Sequence, residues 1–121
     1  MIVISLPWPP VELNPNKRLH WSKKSRVAKS YRAICRAITQ QAARKRYYTF
    51  SDDGKIALTI IFRPPDNRAR DDDNMLSAFK SGRDGVADAL GVNDKRFATR
   101  FDVLDSVSGG SVTISVQELG Q

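Results

Sequence analysis

The run Arg70-Asp71-Asp72-Asp73-Asn74 sets three carboxylates side by side in a chain whose formal net charge is +7. Adjacent like charges repel, and a cation among them relieves the repulsion; a hard divalent metal, which takes oxygen ligands, is the simplest one. In an extended segment residues two apart point the same way, so Asp71 and Asp73 can converge while Asp72 points elsewhere. Two or three carboxylates and a substrate phosphate oxygen make a sufficient Mg²⁺ site, and a metal held in a basic protein points to phosphate chemistry on nucleic acid. The same triplet ahead of a helix is also a good N-cap, because negative charge there complements the helix dipole. Spacing alone leaves both roles open.

A helix over roughly 73–90 must position whatever chemistry the triplet does. At 100° per residue its apolar side gathers Met75, Ala78, Phe79, Gly82, Val86, Ala89 and Leu90. Asp73, Lys80 and Asp84 fall on the opposite side, so the last acid of the run shares a face with a lysine and another acid. A Lys/Asp pair four residues apart is equally ordinary on a solvated helix. Gly91-Val92-Asn93-Asp94 closes the helix, glycine standing in the usual C-terminal position. Asp94 there reads as a turn residue that only the tertiary fold can bring to the others.

The basic residues are concentrated elsewhere. No acid occurs between Glu12 and Asp52, while Lys17, Arg18, Lys23, Lys24, Arg26, Lys29, Arg32, Arg36, Arg44, Lys45 and Arg46 supply eleven of the 20 lysines and arginines. A solvated helix face usually mixes both signs; a one-signed face suits a phosphate backbone. The single histidine, His20, stands among these cations and reads as a phosphate contact or surface residue, not as a general base.

The chain is expected to form one α+β domain with a mixed β-sheet and two main helices in the order β-α-β-α-β-β. Strand one is Ile2 to Leu6, stopped by Pro7-Trp8-Pro9-Pro10. Helix one runs over roughly 22–46, with Val27, Tyr31, Ile34, Cys35, Ile38 and Ala42 on its apolar face. Strand two, Lys55 to Phe62, ends at Pro64-Pro65, and Phe97 to Leu104 with Ser111 to Glu118 read as a closing hairpin around Gly109-Gly110. One cysteine, Cys35, excludes an intrachain disulfide and a thiolate zinc cluster. There is no P-loop, dinucleotide fingerprint or nucleophile elbow. With no signal peptide or membrane span in view, a soluble protein of a reducing cytoplasm is expected.

Taken together, Leu6-Pro7-Trp8-Pro9-Pro10, Asn14, Asn16, Arg18, Tyr31-Arg32, Arg70-Asp71-Asp72-Asp73-Asn74 and Gly91-Val92-Asn93-Asp94 resemble the RusA family of Holliday-junction resolvases, including members carried by bacteriophages. The resemblance spans nearly the whole length. It implies a homodimeric, Mg²⁺-dependent endonuclease, with Mn²⁺ able to substitute, that nicks two opposed strands of four-way junction DNA. By position, the family's catalytic and metal-holding aspartates fall on Asp71, Asp73 and Asp94. Its essential lysine falls on Lys80, one turn beyond the usual place, which here holds Ser77. Lys17, Arg18, Lys23, Lys24, Arg26, Lys29, Arg32 and Arg70 are the expected DNA contacts. The rival expectations are a non-enzymatic nucleic-acid-binding module, and a metal nuclease acting on flaps, forks or RNA.

Overall fold

The computed structural model describes residues 1–46 and 49–119, the side chain of Arg46 excepted. Ile2–Leu6 forms β1, with Ile2, Ile4 and Leu6 inward and Val3 and Ser5 exposed, the alternation that a half-buried strand requires. Proline after Leu6 ends the ladder, and the chain passes through a 3-10 turn at Val11–Leu13. It then enters α1, Trp21–Arg46. His20 stands just ahead of that helix, its ring Nδ1 accepting from the Ser22 backbone N–H and lying 2.7 Å from the Ser22 hydroxyl. The only histidine is therefore used at a helix start.

Ile56–Arg63 is β2, Asp72–Ala78 is α2, Lys80–Leu90 is α3, Phe97–Val103 is β3 and Ser111–Glu118 is β4. Among the described residues the strands make one mixed sheet in the order β1-β4-β2-β3, with β2 and β3 parallel and the other pairs antiparallel. The α+β class and mixed sheet are as expected; three details differ.

First, β3 and β4 do not form a hairpin. Val112, Ile114 and Val116 of β4 are fully buried, so β4 takes the centre of the sheet between β1 and β2. β3 carries exposed Arg100 and Asp102 and sits at the edge, where charge discourages further strand pairing. Gly109 and Gly110 still turn the chain. The connection is pinned across the end of β2, where Leu104 N–H donates to the Phe62 carbonyl and Val107 N–H to that of Pro64.

Second, the expected helix over 73–90 is two helices meeting at Phe79, whose ψ is −5° against about −42° in a regular helix. Phe79 is fully buried and lies edge-to-face with both Tyr31 and Phe62. Three rings locking together set the local backbone. Third, Ile34 is 46% exposed, because the buried stripe of α1 runs along Tyr31, Cys35 and Thr39, at i, i+4 and i+8.

The core lies between one face of the sheet and the α1/α3 layer, with Tyr31, Cys35, Phe62, Phe79 and Val86 at its centre. Burial raises the pKa of the Tyr31 phenol and pushes the Cys35 thiol up to about 11, so the thiol stays protonated and behaves as a small apolar group. The Tyr31 hydroxyl donates to the Pro7 carbonyl at 2.6 Å, tying α1 to the loop that leaves β1. Tyr31→Phe should cost about 1 to 2 kcal/mol, the value of a buried hydrogen bond whose acceptor is left unpaired. Urea unfolding checks it; an unchanged midpoint would deny that tie any role in stability.

Candidate active site

Asp71 is extended, at φ −87° and ψ 126°, and caps α2: its carboxylate accepts the Asp73 backbone N–H at 2.8 Å. The capping role is thus real for Asp71. Asp72 and Asp73 occupy the first turn of α2, and all three carboxylates are exposed. The Asp71 carboxylate lies against the Asp73 backbone N–H, and because α2 already begins at Asp72, the extended geometry expected to converge the side chains of Asp71 and Asp73 does not hold across them.

A second cluster forms where α3 begins. Lys80 Nζ lies 2.9 Å from Asp84 Oδ1 and 3.9 Å from Asp94 Oδ2. Arg83 Nη1 lies 3.4 Å from Asp94 Oδ2, and its Nη2 donates to the Asp94 carbonyl and to Thr99 Oγ1. The guanidinium also covers the Phe97 ring, 5.3 Å from its centroid. Asp94 opens a 3-10 turn, Asp94–Arg96, that follows Gly91. Gly91 adopts φ 67°, and Val92 N–H reaches back to the Ala87 carbonyl, so the chain reverses and returns Asp94 along α3.

The structure therefore brings Lys80, Asp84 and Asp94 together, while Asp71 stands at the cap and Asp73 in the first turn of α2. Lys80 is seven residues beyond Asp73, about 10 Å along a helix axis. Among the described residues no three Asp, Glu, His or Cys side chains are grouped so as to hold a metal ion. Asp94 is held by two cations instead. Every donor is nevertheless an oxygen, as a hard cation demands, and Mg²⁺ is commonly held by only one or two carboxylates plus phosphate oxygens and water. The exposed acids at the head of α2 offer oxygens of that kind. Adding Asp94 requires its ion pairs with Arg83 and Lys80 to exchange.

The expected DNA contacts divide in the same way. Lys17, Arg18, Lys23, Arg26 and Lys29 are exposed. Lys24 is partly engaged, its Nζ donating to the carbonyls of Asn14 and Lys17. Arg32 makes a two-pronged contact with Asp88, at 2.6 and 2.9 Å, clamping α1 to α3. That pairing raises the Arg32 pKa and lowers that of Asp88. Arg70 is only 19% exposed and works inward: it donates to the carbonyls of Asp66 and Arg68 and pairs with Asp66 Oδ1 at 2.9 Å. Its role here is to fold the loop that presents Asp71.

The Asp66 carboxylate takes the Arg68 backbone N–H and the Arg68 side chain, with Arg70 adding to both, and these hydrogen bonds hold its pKa down at about 2. A depressed acid stabilises the fold above its unfolded value of 3.8, and that contribution disappears as pH falls through about 2. Carbon-detected NMR should find Asp66 titrating near pH 2, with the 66–70 loop loosening over the same range. A midpoint near 4 would mean that the knot does not form in solution.

Arg83 is the residue that sequence reasoning missed. Its partners Asp94, Phe97 and Thr99 are supplied by the return of the chain after α3, which no helical period encodes. Also unforeseen is a cavity of about 670 Å³ beside Asp71, between the loop after β1 and the start of α2.

Fold and site together describe a small α+β domain with an exposed acidic helix start, a lysine/aspartate cluster and a one-signed basic helix. No protein-family model matches the chain. It is 38% identical over 119 residues to a protein of Xylella fastidiosa (strain Temecula1 / ATCC 700964) described as "Uncharacterized protein", a match covering 98% of this chain and 77% of that protein. The chain belongs to the same family as that protein, a relationship that carries no activity with it. Among the described residues no helix is long and apolar enough to cross a membrane.

Proposed function

We propose that this chain is a Mg²⁺-dependent, structure-specific endodeoxyribonuclease of the RusA type, which resolves four-way DNA junctions as a homodimer by nicking two opposed strands. The observation that carries the reading is the approach of Asp94 to Lys80, at 3.9 Å. The resemblance assigns these two residues to one active site, and they come from different parts of the chain.

Asp71, Asp73 and Asp94 would hold the metal, which when bound stabilises charge on the scissile phosphate and makes water a better nucleophile. Lys80 donates to a phosphate or leaving oxygen, and Asp84 at 2.9 Å fixes the direction of its ammonium group. Arg83 is a positioning residue, holding the Asp94 turn against α3. The reaction is hydrolysis: a bond forms between water oxygen and phosphorus, the bond from phosphorus to one sugar oxygen breaks, and that oxygen takes a proton. Lys17, Arg18, Lys23, Arg26 and Lys29 bind the junction arms through phosphates. A second protomer supplies the second nick.

The use of Asp71 as a cap and of Asp94 as an ion-pair partner favours a second reading, a nucleic-acid-binding module without catalysis. One comparison separates the readings. Purified protein is incubated at equal salt with a four-way junction, a flap, a fork, a duplex and an RNA hairpin, with Mg²⁺ or with EDTA. Paired nicking of the junction in Mg²⁺ alone is expected. Preferred cutting of flaps, forks or RNA would move the substrate assignment, and binding without metal-dependent nicking of any of them would select the non-enzymatic module.

A further inference from the structure

The cavity beside Asp71 borders the acids invoked above, and its walls are of two kinds. Trp8 with its neighbouring prolines gives flat apolar surface, and Asn16 and Asn74 contribute amide groups that can both donate and accept. Arg68, with 77% of its side chain exposed, and Asp71 also line it. At about 670 Å³ it falls within the roughly 300 to 1,000 Å³ of small-molecule sites.

An apolar wall that includes an aromatic ring, with amides in the same lining, matches the chemistry of a nucleobase, whose faces are apolar and stack on aromatic rings while its edge alternates donors and acceptors. A carboxylate at the site disfavours an acidic guest, whereas a base is neutral and its phosphate can remain outside. The wall is also joined to the basic helix. Lys24 of α1 donates to the Asn14 carbonyl in the cavity's own loop, and the Asn14 side chain accepts the Asn16 backbone N–H. The loop that lines the cavity is thus anchored to the basic helix.

We propose that the cavity is a nucleotide subsite that takes the base of one unstacked deoxynucleotide next to the phosphodiester presented to Asp71. The placement of that phosphodiester rests on the nuclease reading; the base site itself is measured without it. Such a site selects DNA in which a base can leave the stack at little cost, as at a branch point, and it excludes intact duplex. It couples recognition of structure to the position of the acids.

The test uses Trp8 as its reporter. Trp21 is 75% exposed, and Trp21→Phe leaves Trp8 as the single tryptophan. That protein is titrated in EDTA with a short single-stranded oligodeoxynucleotide, and with the same oligomer made wholly of abasic residues. The base-bearing strand should quench Trp8 and the abasic one should not. Ala69→Phe, which adds a ring at an exposed wall position, should weaken the base-bearing strand at least tenfold and leave the abasic affinity unchanged. Asn16→Ala, which removes only an exposed amide, should weaken it in the same sense; circular dichroism verifies that both variants are folded. Equal quenching by the abasic strand, no Trp8 response to bases, insensitivity to both substitutions, or equal quenching by polyglutamate would each overturn the proposal. Because nothing is cleaved in EDTA, a base site without nicking, or nicking without a base site, would each be seen as such.

Discussion

Asp73→Asn is expected to lower Mg²⁺-dependent nicking of a four-way junction by more than about a hundredfold, since even the outer partners of metal ligands are worth about 10- to 100-fold. Junction affinity should be unchanged or tighter, because a negative charge near phosphate has gone. Asp73 is the informative position at this helix start. It is exposed, and only its backbone N–H serves the cap, so the asparagine variant keeps the Asp71 bond and the stability of α2. Asp71→Ala would combine two effects, losing a cap worth about 1 kcal/mol together with a metal oxygen. Gel assays of nicking and of binding in EDTA read the two quantities separately. Unchanged nicking by Asp73→Asn would remove the catalytic assignment.

Gly85→Ala is the substitution expected to cost most in stability. In an ordinary helix this change is favourable by about 1 kcal/mol. Here the added methyl would collide with the Arg32 carbonyl oxygen and come within 3.1 Å of the Arg36 backbone nitrogen, both on α1. Two backbones cannot yield as a flexible side chain can, so α1 and α3 must separate along their contact. That overpacking should outweigh the propensity gain and leave a net loss of about 3 kcal/mol, lowering the melting temperature by roughly 10 °C. Since α3 carries Lys80, Arg83 and Asp84, nicking should fall even at temperatures where the protein stays folded. Gly91→Ala is the comparison: a methyl there meets nothing within 4 Å, and only the φ of 67° penalises it, by about 1 kcal/mol. Equal melting temperatures for the two variants would contradict the close helix crossing.

Much of the architecture can be read from local pattern because local pattern decides it. The alternation of β1 and β2, the long apolar face of α1 and the glycine ending α3 each follow from a few neighbouring residues. The exchange of a hairpin for a central β4 does not, because Gly109-Gly110 specifies only that the chain turns. Which neighbour Val112, Ile114 and Val116 find is decided by the whole sheet, in which β1 and β2 flank β4. The break at Phe79 is invisible for a similar reason: it depends on Tyr31 and Phe62, which are distant in sequence.

The candidate site follows the same division. The cap at Asp71 is legible from an acidic run ahead of a helix, and so is the pairing of Lys80 with Asp84 one turn on. The reach of Asp94 to Lys80 came from the family resemblance, since a turn aspartate carries no direction of its own. Arg32 and Arg70 illustrate the opposite error: a count of cations treats every guanidinium as available, and these two are engaged with Asp88 and Asp66. The cavity joins residues 8–16 to residues 65–78, a juxtaposition no window along the chain contains.

The claim at the centre of this account is that Asp94 leaves Arg83 to join Asp71 and Asp73 around a metal ion. A crystal of the protein soaked in Mn²⁺, with the ion located by its anomalous signal, tests it most directly. The expected result is a peak bonded to carboxylate oxygens of Asp71 and Asp73, with the Asp94 carboxylate moved from Arg83 to the ion. An ion bound elsewhere, or none at a concentration that supports nicking, with Asp94 still paired to Arg83, would contradict it.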